Sequence, residues 1–219
     1  MPRLSSAFSF LHARTLGVLV GLAVLLTGCQ GGSPTAGTSE PQTTTASPTS
    51  SVSVPAASAA PASSGAYKPA DAKGKAQNVP VPVMPELAKE NSKAGLEAFI
   101  GYWYAQLSYV GETGDMSSWL PLIAPECRLC TRLQESGKQS YTDGRWLAGG
   151  KISVPAIEVQ WKGGSVEAAK VQVVQDQIDY FNADGSVGRS KSNASNDAFA
   201  FFAKHADGKW IVVDLGIIT

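Results

Sequence analysis

Three cysteines in 219 residues carry most of the chemistry this chain can offer, and their neighbours divide them into two kinds. Cys29 closes the tetrapeptide Leu26-Thr27-Gly28-Cys29 behind an eleven-residue apolar run, Leu16 to Leu26, which follows Arg3, His12 and Arg14. A basic start, a short apolar stretch and small residues before a scissile point make a secretory signal. The alternative, an uncleaved membrane span, needs about twenty apolar residues. The thiol of Cys29 is placed to take a diacylglyceryl group before cleavage, so the mature chain is expected to begin there, on the outer face of the cell membrane. Each buried acyl methylene contributes about 0.8 kcal/mol, and two chains make such an anchor stable.

The second kind is the pair Cys127-Arg-Leu-Cys130. In an oxidising compartment the leading reading is a disulfide. Two others compete. A redox-active pair would normally open a helix inside a βαβ frame. Half of a zinc site would need four ligands in all, and beyond these thiols a mature chain offers only His205. No metal or cofactor is expected.

Carboxylates are the remaining source of reactivity. Asp176 and Asp179 fall on one long predicted strand, and Asp214 shares a predicted strand face with Trp210 and Val212. A buried carboxylate can serve as a general base. With aromatic neighbours, Tyr102, Trp103, Asp179, Tyr180, Trp210 and Asp214 form a candidate pocket, in which Asp179 with Tyr180, or Asp214 with Tyr102, would move a proton on a small apolar substrate. The plainer reading is a set of rim carboxylates and salt bridges. A single histidine after Cys29 and no convincing Gly-x-Ser-x-Gly elbow leave the usual hydrolase triads without members. No catalytic residue is assigned.

The elements that must position these groups begin late. From Gln30 to about Ala66 the chain is almost wholly Ser, Thr, Ala, Pro and Gly with Glu40 as its sole charge, a composition that cannot bury a core. Coil statistics give such a tether a reach of roughly 40 Å. Lys68, Lys73 and Lys75 follow, and then Val79-Pro-Val-Pro-Val-Met-Pro85 favours extended backbone. These shifts divide the chain into a signal peptide over 1–28, a disordered tether over 29–78 and a globular domain over 79–219. From Pro80 onward there are 13 basic and 16 acidic residues, which gives no reason to expect nucleic-acid binding.

Within the domain, Asn91 or Ser92 caps a helix whose apolar positions Leu96, Phe99, Ile100, Trp103 and Leu107 keep helical spacing. Asp115 opens a short helix that Pro121 helps to end, and a third helix runs from about Pro125 to Gly137. Thereafter the period changes to two. Strands are expected over 151–161, with Pro155 marking an edge or bulge, over 166–181, 198–204 and 210–217, joined by Gly- and Asp-rich turns. The polar stretch from Gly188 to Asp197 has no assignment. Helices followed by about four antiparallel strands predict an α+β domain with helices packed on one face of a curved sheet.

The run Asn78-Val-Pro-Val-Pro-Val-Met-Pro85, the segment Gly95-Leu-Glu-Ala-Phe-Ile-Gly-Tyr-Trp103, Thr113-Gly-Asp115 and the Cys127-x-x-Cys130 pair together resemble an actinobacterial lipoprotein family of unknown function, domain of unknown function 6318, from about Tyr67 to the C-terminus. Asp207-Gly-Lys-Trp-Ile-Val-Val-Asp-Leu215 also resembles the closing hairpin of the cone-shaped nuclear transport factor two-like superfamily. The first resemblance implies a lipid-anchored envelope protein. The second implies a sheet through which copies pair as a homodimer, and it includes enzymes and non-catalytic modules alike. The expectation is a non-enzymatic module outside the membrane that holds a small apolar ligand or an envelope protein. A proton-transfer enzyme and a thiol redox protein are the alternatives.

Overall fold

Helix α1 is fixed at both ends by its own sequence. In the computed structural model, which describes residues 65–218, it spans Lys93–Thr113. The Ser92 hydroxyl accepts from the Gly95 N–H at 3.0 Å, and Gly114 ends the helix at φ +77°, a left-handed conformation that costs glycine little. Its inward stripe, Leu96, Phe99, Ile100 and Trp103, is fully buried. The predicted short helix after Asp115 is instead a turn running into a 3-10 turn, Leu120–Leu122, with Pro121 inside it.

Helix α2, Arg128–Tyr141, runs past the predicted stop at Gly137. A β-carbon at Gly137 would lie 2.5 Å from the Met116 methyl, so the glycine serves close packing rather than termination. The sulfur of Cys127 accepts from the Cys130 N–H at 3.3 Å and caps the helix, and Cys127 and Cys130 are joined by a disulfide.

Seven strands follow, β1 Trp146–Gly149, β2 Ile152–Gln160, β3 Glu167–Gln175, β4 Ile178–Phe181, β5 Val187–Ser192, β6 Ser195–Ala206 and β7 Lys209–Ile218. They form two antiparallel sheets, ordered β2-β3-β6-β7 and β1-β4-β5. The α+β class holds, helices first and strands after, but two expectations about the strands need correction. The long strand over 166–181 is two strands in different sheets, broken at Asp176 and Gln177. The unassigned polar stretch after Gly188 is strand, in β5 and the start of β6. Periodicity misses it because all six residues of β5 face water and no apolar alternation can arise. Pro155 lies on the edge strand β2, where the register slips between Ser153 and Ala156.

The core is aromatic. Trp103 packs edge-on to Phe201 at 5.6 Å between ring centres and lies 5.4 Å from Trp119, while Phe99 meets Phe201 at 6.4 Å and Trp210 at 6.5 Å. These rings are fully buried or nearly so. Truncating one of them to alanine removes about 3–5 kcal/mol of stability.

The domain also begins earlier than expected. Residues 65–78 form an arm rather than tether: Lys68 pairs with Gln77 and Asp71 with Gly74 around a turn. Its anchors are polar contacts invisible to hydropathy. Tyr67 donates to Glu112 at 2.7 Å, and Trp146 Nε1 donates to the Asp71 carbonyl at 2.9 Å.

Candidate functional site

The predicted pocket residues are spread over three environments. Trp103 and Trp210 belong to the filled core, with 0% and 1% of their surface exposed. Tyr102, on α1, accepts a hydrogen bond from Gln106 Nε2 at 2.9 Å. Asp179 and Tyr180 lie on β4 in the small sheet, where alternation sends them to opposite faces. The Asp179 carboxylate accepts from Gln177 Nε2 at 3.2 Å, and the Tyr180 hydroxyl pairs with that of Ser192 at 2.8 Å.

Asp214 shows most clearly how the tertiary structure rearranges a linear pattern. Strict alternation puts it beside Trp210 and Val212. A register shift opposite Phe202 and Ala203 inserts Val213 as an extra residue, so Val212 and Leu215 point to the core while Asp214 turns to solvent opposite Phe202. Asp214 and Tyr102 therefore lie on opposite sides of the sheet, and no shared proton path joins them. His205 is held at the rim, its Nε2 3.0 Å from the Lys89 carbonyl and its ring against Trp210.

Burial pushes the phenols of Tyr104 and Tyr141 well above their ordinary range, the behaviour of packed rings. Hydrogen bonds from the Ser117 backbone and side chain hold Asp115 below the usual carboxylate range, and the Ser186 hydroxyl and backbone do the same for Asp184. Both are turn residues. Glu167, a buried carboxylate, accepts from the backbone N–H groups of Lys162 at 2.7 Å and Gly164 at 2.6 Å, and so closes the β2–β3 turn. Among the described residues no group of three His, Cys, Asp or Glu side chains is placed to hold a metal ion. Cys29 lies outside the described residues.

The side of the large sheet turned away from the helices is open. Reading across β2, β3, β6 and β7, one row holds Ala156, Gln172, Ala198 and Ile218, and the next Glu158, Lys170, Ala200 and Gly216. A shallow hollow of about 520 Å³ lies here, bordered by Ala156, Glu158, Lys170 and Ala198. Ile218 is 43% exposed at its margin. Small residues at the centre allow a flat partner to approach the backbone closely, and one acid beside one base supplies both halves of an ion pair.

A domain of two helices over an antiparallel sheet, with an aromatic core, defines a small α+β module. The chain belongs to a family of unknown function, DUF6318, whose model matches residues 65–216. That match begins at the arm, not at Val79. No curated protein matches the chain. Among solved structures, the intermembrane space region of the chloroplast protein ARC6 is similar at 10% identity and TM-score 0.43, covering 59% of this chain and 98% of that one. An uncharacterized protein with a cystatin-like fold from Caulobacter vibrioides is similar at 15% identity and TM-score 0.39, covering 57% and 87%. The association domain of C. elegans CaMKII is similar at 12% identity and TM-score 0.39, covering 59% and 100%.

Proposed function

We propose that this chain is a lipid-anchored, non-enzymatic assembly module of the cell envelope, which pairs with a second copy of itself through the outer face of the large sheet. The carrying observation is that face: its small apolar residues include exposed Ala156 and half-buried Ala198, Ala200 and Gly216, while the interior that would receive a ligand is filled by Trp103, Trp119 and Phe201. A two-fold contact is self-complementary by construction. Glu158 and Lys170 are cross-strand neighbours, so a two-fold axis between them sets the acid of one copy against the base of the other. The tetrapeptide ending at Cys29, behind its apolar run, supports the envelope address.

Sedimentation of the chain purified from its host membrane in neutral detergent tests the pairing. A dimer that Ala200→Arg converts to monomer, with the circular dichroism spectrum unchanged, is the expected outcome. A parent that is monomeric at every concentration refutes the pairing. Labelled palmitate should enter the parent and not Cys29→Ala; equal labelling of both would refute the anchor.

A further inference from the structure

A second cleft opens beside the small sheet. It lies between the end of α2 and strands β1, β4 and β5, with a volume of about 90 Å³, and two of its lining side chains are Arg145 and Arg189. No carboxylate lines it. Trp146 and Phe181, stacked at 5.7 Å between ring centres, give it an apolar wall.

Each guanidinium is held in a different way. That of Arg189 sits over the face of Tyr180, 3.6 Å from the ring centre, and it has no ion pair among the described residues. A stacked guanidinium keeps its N–H edges directed outward in its own plane, free to form a fork. Arg145 donates through Nε to the Thr142 carbonyl at 2.9 Å, which fixes its side chain on the left-handed turn at Asp143 and Gly144. The nearest acid is Asp143, whose carboxylate stands 3.7 Å from the other end of Arg145, largely in water and outside the cleft lining. At the end of α2 the Lys138 carbonyl accepts from Thr142, and the Thr142 carbonyl just beyond the helix accepts from both the backbone N–H and the Nε of Arg145. The Ser140 hydroxyl is committed to Ser136 and adds no donor.

We propose that this cleft is a phosphate-monoester site, in which Arg145 and Arg189 grip the terminal phosphate and the Trp146–Phe181 wall receives the group that carries it. The charge and the size agree. A phosphate monoester bears about −1.5 to −2 at neutral pH and offers three acceptor oxygens, and two guanidinium forks match both. The volume is about three times the share of one water in the liquid, enough for a terminal group but far below the roughly 300 Å³ of a whole ligand pocket. The remainder of the ligand therefore projects outward. Such a phosphate can come from a soluble metabolite or from a phospholipid headgroup. The site lies on the small sheet, away from the face proposed for pairing, so either proposal can fail without the other.

The test is calorimetric titration of the full chain in neutral detergent with inorganic phosphate, glycerol phosphate and short-chain phosphatidic acid, with sodium acetate at equal ionic strength as control. Saturable binding is expected, weakened about tenfold or more by Arg189→Gln and by Arg145→Gln alike, and only in part by Arg189→Lys, which keeps charge but loses the fork. Both arginines are partly or fully exposed, so folding of the variants is checked by thermal melting, and sedimentation should be unaffected. Tighter binding of phosphatidic acid than of glycerol phosphate assigns the lipid source, and the reverse order the soluble one. Absence of saturable binding, binding by both Gln variants as tight as that of the parent, or a stronger response to acetate would overturn the proposal.

Discussion

The indole N–H of Trp146 donates to the carbonyl of Asp71, 2.9 Å away in space and 75 positions earlier in the chain. This bond fastens the arm of residues 65–78 to the small sheet and sets the start of the folded unit. Around it, Tyr67 meets Glu112 and the Lys75 ammonium lies 5.9 Å from the centre of the Tyr141 ring. Each contact is small, and those of Tyr67 and Lys75 are exposed, so the arm should open on its own, ahead of global unfolding.

Trp146→Phe removes the donor and keeps most of the packing. A hydrogen bond of this kind contributes about 1 kcal/mol, which raises the open population of the arm about fivefold. Tryptic cleavage at Lys73 and Lys75 is expected to accelerate by that factor while the melting temperature of the core moves little. Unchanged cleavage would mean the bond does not hold the arm.

The Cys127–Cys130 disulfide is sealed, with both residues 0% exposed, and its ring spans a sequence separation of three. Its effect on the unfolded chain is therefore below the roughly 3 kcal/mol of a fifteen-residue loop. The joint variant Cys127→Ala with Cys130→Ala is expected to fold and melt only modestly earlier. Native chain should resist glutathione and react with an alkylating agent only after denaturation, and rapid native reduction would revive the redox reading.

Glu167 is 2% exposed and binds two backbone N–H groups of the β2–β3 turn. Glu167→Ala removes the acceptor of both hydrogen bonds, but Lys162 and Gly164 stand exposed and water takes its place in part, so the expected cost is about 1 kcal/mol. Glu167→Gln, which keeps one acceptor oxygen, should lose less. Urea unfolding checks this, as a lower midpoint with an unchanged slope.

Tyr67 links alkaline pH to the arm. Partial burial, followed by its hydrogen bond to Glu112 and the charge there, pushes its phenol from 10.0 up to about 12. A folded value above the unfolded one means that the contribution is complete below pH 10 and is lost as pH rises through about 12. The difference in phenolate absorbance between the parent and Tyr67→Phe should titrate near 12. A difference titrating near 10 would place Tyr67 free in water.

The α+β order, the capped helix α1, the buried stripe from Leu96 to Trp103 and the edge position of Pro155 were all legible in the residues, because each follows from local periodicity or from a backbone preference that a few neighbours settle. Glycine was a less faithful guide. At Gly114 it ends a helix, while at Gly137 it admits the Met116 methyl and the helix continues, a distinction made by a partner 21 residues away.

The site was far less legible. Trp103, Tyr180 and Asp214 have the right types for a pocket, but one inserted residue at Val213 inverts Asp214, and the break after Gln175 moves Tyr180 into another sheet. Arg145 and Arg189 escaped notice because nothing in their spacing links an Asp-Gly turn to a wholly exposed strand; an arginine next to Trp146 was the sole local hint.

By itself, the sequence determined that helices precede strands, which faces are apolar, and how composition shifts along the chain, since those properties belong to short stretches of chain. Only the tertiary structure decided which strands share a sheet, that the interior is filled by rings and that two arginines 44 positions apart share one cleft. Register, bulges and long-range hydrogen bonds set those outcomes, and they depend on what each segment meets across space rather than on its neighbours in the chain.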